Sequence, residues 1–185
     1  MHRMGRNARW QTKALVSLAA GTVSGAVAGS LAGAIGLLTP LELRAAAGTA
    51  AGLALTILPL FGVSLPQRDR ETPQSLMKRG PVFWSAANGA LLGVAVINRI
   101  GFWLWYVVPL SAFLSGSPVA GAAVWGFYGF ARLGVIDVIA VKMRDHHASS
   151  SNVSHSLIKS GERVRRAMTA MAVGTGVVIL LSTGL

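Results

Sequence analysis

The sequence predicts an all-α protein, a polytopic transmembrane helix bundle of about five spans that forms a single domain over residues 1–185. Three observations carry this. Apolar residues make up 52% of the chain and charged residues 12%, about half the usual charged share of a globular protein. The apolar residues fall in long runs, about 14–38, 45–65, 83–106, 119–141 and 167–185, of a length to cross a bilayer as helices. The basic residues that give the chain its net charge of +11 lie in clusters between those runs, where they read as topology signals and not as a nucleic-acid face.

Arg3, Arg6, Arg9 and Lys13 precede the first run, Ala14 to Leu38. Its 25 residues exceed the roughly 7–15 of a secretory signal core, so a retained span is expected. Gly21, Gly25, Gly29 and Gly33 recur every fourth residue, which keeps them on one strip of a helix where a second backbone can approach. That strip suits either ordinary bundle packing or a sliding interface. A polar break at Thr39 to Arg44 follows; Glu42 and Arg44 are expected to stay hydrated there, without a role. The second span carries Gly48 and Gly52, and Pro59 is expected to kink it or end its regular part.

Residues 66–81 hold three prolines and Arg68, Arg70, Lys78 and Arg79 against Asp69 and Glu71, the composition of a solvated, turn-rich loop. The apolar stretch Val82 to Leu114 has 33 residues and would reach about 50 Å as one straight helix, beyond the ~30 Å hydrocarbon core. Two readings stay open. In one, a span from about Phe83 to Tyr106 ends in an aromatic belt of Trp103, Trp105 and Tyr106, and Pro109 starts an interfacial segment. In the other, two half-helices meet at Asn98 to Gly101, a discontinuous helix of the kind that lines transporter sites.

A Ser-Gly-Ser-Pro turn, Ser115 to Pro118, leads to the fourth span, Val119 to Val141, which holds Gly121, Gly126, Gly129 and Gly134. The serine-rich segment 142–166 contains His146, His147 and His155, and the last run, Ala167 to Leu185, closes the chain. Lys and Arg number fourteen in the amino-terminal arm and in loops 66–81 and 142–166 against one in the remaining loops. The positive-inside rule then places the amino terminus and these two loops in the cytoplasm and the carboxyl terminus outside, in the plasma membrane. Gly21, Gly25, Gly33 and Gly48 also recur 68 residues later as Gly89, Gly93, Gly101 and Gly116, the trace of a parallel internal repeat.

The chain has no cysteine, which excludes disulfides, thiolate metal sites and dithiol redox chemistry of its own. No nucleophile motif or phosphate loop is present, so no enzyme activity, cofactor or metal is expected. His146, His147 and Asp145 do not share a helix face and lack a further ligand. The candidate substrate-binding residues are Arg132, Arg99, Asn98 and Asp137, the polar groups inside apolar spans, because such residues face a bundle interior, a cavity or a partner. Guanidinium binds carboxylates, sulfur oxyanions or phosphate with two prongs; alternatively Arg99 snorkels to the interface, Arg132 bonds carbonyls beside glycines, and the asparagines join helices. Asp137, five residues from Arg132, is off its helical face.

The run GALLGVAVINRIGFWLWYVVPLSAFLSGSPVAGAAVWGFYGFARLG, residues 89–134, resembles the CcdA and sulfite-exporter-like membrane proteins in cadence: GxxLG opening a helix, a proline, a small-residue GSP turn, then GxxxxGxYG. The thiol-relay members carry membrane cysteines that this chain lacks. The resemblance therefore implies a small transporter-like bundle without their electron transfer. The expected activity is that of a small transporter, or a transporter subunit, for a small anionic solute, with a non-catalytic accessory or assembly subunit as the alternative. The expected partners are the lipid bilayer and either further copies of the chain or a larger membrane complex, with no nucleic acid.

Overall fold

A computed structural model describes residues 2–61, 63, 78–94, 103–145, 166–179 and 181, and among them every regular element is helical. Helix α1 is His2–Leu38, α2 Leu41–Ile57, α3 Pro81–Val94, α4 Val107–Ser115, α5 Pro118–Asp145 and α6 Arg166–Ile179; a 3-10 turn, Trp103–Tyr106, leads into α4. Two stretches, Trp10–Leu38 of α1 and Pro118–Val138 of α5, are long and apolar enough to cross a membrane, and α6 is a shorter apolar helix.

Helix α1 is the element on which the bundle is built, with its largest interface against α5, then α3, then α4. The glycine strip explains why. Gly21, Gly25, Gly29, Gly33 and Gly36 are all buried, and each meets backbone of another helix. A Cβ on Gly25 would lie 2.7 Å from the Trp125 carbonyl oxygen, and one on Gly29 or Gly33 would run into the carbonyl of Gly121 or Ser117. Gly36 meets the Phe113 carbonyl in the same way; standing three residues after Gly33, it lies outside the fourfold spacing that marks the strip in the sequence. From α5, Gly121 and Gly129 return the contact to Gly29 and Gly21. Residue numbers fall on α5 as they rise on α1, so these two helices are antiparallel.

Helix α3 runs parallel to α1. Gly89 meets Ser17, Gly93 meets Gly21, and a Cβ on Gly21 or Gly25 would lie 2.9 or 3.4 Å from the carbonyl oxygen of Gly89 or Gly93. Two of the glycine pairs 68 residues apart in the sequence, Gly21 with Gly89 and Gly25 with Gly93, thus face one another across one seam. Gly80, with φ 103, turns the chain into α3 in a backbone conformation that glycine alone adopts freely. Its carbonyl accepts the Trp84 N–H at 3.0 Å, and Pro81 fills the first helical position, where a missing N–H costs nothing.

The stretch from Val82 to Leu114 is not one straight helix. Gly93 lies level with Gly25, and Phe113 with Gly36. The chain therefore advances about 16 Å along α1 over residues that would take about 30 Å as a continuous helix. Asn98, Arg99 and Gly101, the sequence's candidate breakpoint, lie outside the described residues. The expected aromatic belt is corrected at Trp105, whose ring packs edge-on against Trp125 at 6.4 Å; Trp125 sits between Gly25 and Gly29, midway along α1. Pro109 does not open a separate segment either. It stands in the first turn of α4, where it removes no helical hydrogen bond.

Helix α2 begins earlier than the sequence suggested, at Leu41, so Glu42 and Arg44 belong to its first turn and not to a polar break. It ends at Ile57, two residues before Pro59, whose absent N–H cannot extend the helical ladder. Helix α6 leans on α2: a Cβ on Gly176 would lie 2.7 Å from the Gly52 carbonyl oxygen and would strike the Thr56 hydroxyl.

Gly29→Ala is expected to destabilise the protein by about 1–3 kcal/mol by overpacking against the Gly121 backbone. Gly134→Ala, whose Cβ enters open space, should be neutral or slightly stabilising. Thermal unfolding in detergent compares the two variants; equal midpoints would show that the α1–α5 contact is looser than this.

Candidate functional site at the end of helix α3

Three donors from two other helices converge on carbonyls of α3 between Ala90 and Gly93. The Ser24 hydroxyl of α1 donates to the Ala90 carbonyl at 2.9 Å. From α5, the Arg132 Nη1 donates to the Leu92 carbonyl at 3.3 Å, and the Trp125 Nε1 donates to the Gly93 carbonyl at 3.1 Å. A carbonyl oxygen has two lone pairs and accepts a further donor beside any helical bond. One cation and two neutral donors are presented to this stretch of α3 at mid-bundle.

The glycine seams put the donors in place. Gly21, Gly25 and Gly93 let the three backbones close together, so the short side chain of Ser24 spans from α1 to α3. Trp125 is 5% exposed, its ring held between Gly25 and Gly29 on one side and Trp105 on the other. Seven residues further along α5, on the same face, comes Arg132. Its Nη1 also donates to the Tyr128 hydroxyl at 3.2 Å, and the guanidinium lies 5.9 Å from the centre of the Tyr128 ring. One nitrogen of the fork is thus used for anchoring. The Nη2 and Nε N–H groups bond no described residue.

Among the sequence's candidates, Arg132 is at this site. It bonds a carbonyl next to Gly93, the arrangement expected of a deep arginine among glycines. Asp137 is partly exposed, lies one turn and a half further along α5, and forms no ion pair with a described residue. By the α1–α5 register it is level with Lys13, near the basic end. Asn98 and Arg99 lie outside the described residues, as do His146, His147 and His155. No group of three metal-capable side chains occurs among the described residues.

Sequence reasoning passed over Ser24, Trp125 and Tyr128. The signal was present: Gly121, Trp125, Gly129 and Leu133 repeat the fourfold spacing of α1, and Tyr128 stands one turn before Arg132. The Trp105 indole N–H is buried beside this site without a described acceptor.

Trp125→Phe keeps a ring in the seam but leaves the Gly93 carbonyl without its donor. It should cost about 1–3 kcal/mol and speed amide hydrogen exchange at the end of α3. Exchange unchanged there would show that the indole bond does not hold that helix end. No family model, no curated protein and no solved structure matches the chain.

Proposed function

We propose that the chain is an integral membrane protein of about five spans that moves a small anionic solute, with Arg132 as its binding residue. The observation that carries this is the half-engaged guanidinium at the end of α3, inside an apolar bundle. A deep arginine fixed by one nitrogen, with its other edge open, is built to receive a carboxylate or an oxyanion.

Several facts support the membrane setting. Only 17% of the apolar window of α1 and 28% of that of α5 is buried, where a core helix of a water-soluble protein would be mostly covered. Large apolar side chains stand outward along α1, among them Leu15, Val23, Val27, Leu31 and Ile35, a surface that water would penalise. From Pro81 to Phe113 the axial advance along α1 is about 34 Å, close to one hydrocarbon thickness. This favours one broken crossing over two and so favours five spans. The starts of α1 and α3 and the end of α5 share one end of the bundle, where Lys13, Lys78, Arg79, Lys142 and Arg144 collect. That end is the cytoplasmic one by the positive-inside rule.

A second reading, an accessory subunit of a larger membrane complex, is favoured by Gly134 and Gly174, which leave open space for the approach of another helix. Co-purification of a stoichiometric partner in mild detergent, with no flux from the chain alone, would establish it.

For the transport reading, proteoliposomes are loaded with sulfite, phosphate or acetate. Wild type should release at least one of them faster than empty vesicles, and Arg132→Gln should lose about tenfold or more of that flux while keeping its fold by circular dichroism. Equal flux from the two proteins would remove Arg132 from the path. For the topology, a reporter fused after Leu185 should report the exterior; a cytoplasmic signal would contradict five spans.

A further inference from the structure

We propose that the basic end of the bundle binds anionic phospholipid headgroups, with the turn of Lys78, Arg79 and Phe83 at the start of α3 as its anchor. The inference rests on the membrane reading given above and is independent of transport.

The backbone builds the anchor. Gly80 turns the chain into α3 with φ 103, and its carbonyl accepts the Trp84 N–H at 3.0 Å. Lys78 and Arg79, both exposed, stand just before that turn. Val82 and Phe83, 48% and 42% exposed, stand just after it. The Arg79 guanidinium lies 5.5 Å from the centre of the Phe83 ring, so cation and ring are presented together. An exposed apolar pair beside two cations fits the boundary between acyl chains and headgroups, with Val82 and the ring toward the chains and the charges toward phosphate.

Depth agrees with this placement. Gly89 meets Ser17 and Gly93 meets Gly21; in that register Phe83 is level with Gln11 and Arg79 with Asn7. Phe83 therefore stands at the start of the apolar stretch Trp10–Leu38. The backbone of Arg79 lies about 6 Å beyond it, within the roughly 5–7 Å that headgroups add to each side of the hydrocarbon core.

Charge selects an anionic headgroup. The amino-terminal arm and the segments 66–81 and 142–166, which adjoin this end in sequence, carry fourteen Lys and Arg. The whole chain holds six Asp and Glu. Were all six and the terminal carboxylate paired here, half of the fourteen cations would still be unbalanced. The balancing charge therefore comes from outside the chain, whatever the pairing within it. A zwitterionic headgroup adds no net charge, whereas an anionic phospholipid supplies both the charge and two phosphate oxygens that match a guanidinium fork.

The test uses the full-length protein reconstituted in phosphatidylcholine vesicles with a trace of spin-labelled phosphatidylglycerol or phosphatidylcholine. The motionally restricted fraction of each label measures its association with the protein. At low salt phosphatidylglycerol should associate about threefold or more over phosphatidylcholine, and about 1 M salt should remove most of that preference. The Lys78→Gln, Arg79→Gln double variant should lose about half of it or more. Arg44→Gln, in the first turn of α2 at the other end of α1, should keep it. Equal association of the two labels with wild type at low salt overturns the proposal, whether or not any variant folds. A double variant with the full wild-type preference overturns the anchor. Release of the protein from native membranes by alkaline carbonate would overturn the membrane reading and this proposal together, whereas retention with equal association removes this proposal alone.

Discussion

Everything described here depends on how closely three helix backbones approach along one face of α1. Gly21, Gly25, Gly29, Gly33 and Gly36 leave no side chain between α1 and the carbonyls of α5, α3 and α4. In the membrane setting proposed above, the hydrophobic effect would give helices little reason to associate, and dispersion between closely fitted backbones would take its place. Few large side chains are buried. Among the described residues the buried apolar set is Leu55, Ala112, Trp125, Leu133 and Ala172, since the interior of the bundle is mainly backbone and glycine.

The same closeness creates the polar site. When α3 comes within a serine's reach of α1, its carbonyls from Ala90 to Gly93 come within reach of donors on both neighbours, and Ser24, Trp125 and Arg132 bond them. Arg132 is thus first a structural residue that ties α5 to α3. Tyr128 and Leu92 share a single nitrogen of its fork, and an arginine held rigidly in this way would lose less entropy in the anion binding proposed for it.

Much of the helical architecture was legible in the sequence because apolar run length and fourfold glycine spacing are local patterns. The strip on α1 and the turn at Ser115 to Pro118 could be read directly. What was not legible depended on contacts between distant segments. Arg44 looked like a hydrated loop residue because nothing near it in sequence indicates that α2 starts at Leu41 or that Gly116 lies beside it. Trp105 looked interfacial because aromatic residues near the end of an apolar run usually are, yet the path of the chain after α3 brings it to Trp125 at mid-height. Of the candidate site, Arg132 was found from its charge alone. Its anchors were not, since a carbonyl of α3 leaves no mark in the sequence.

The account rests on the register of α1 against α5, and the absence of cysteine makes that register directly measurable. A Cβ on Gly126 would lie 3.2 Å from the Ala26 Cβ, close to the separation that a disulfide requires. Val27, the next residue on α1, is 56% exposed on the outer face. In native membranes under mild oxidation, the Ala26→Cys, Gly126→Cys pair should form an intramolecular disulfide in most molecules, and the Val27→Cys, Gly126→Cys pair should form almost none. Equal cross-linking of the two pairs, or none in the first, would contradict the glycine seam and with it the placement of Arg132 at the end of α3.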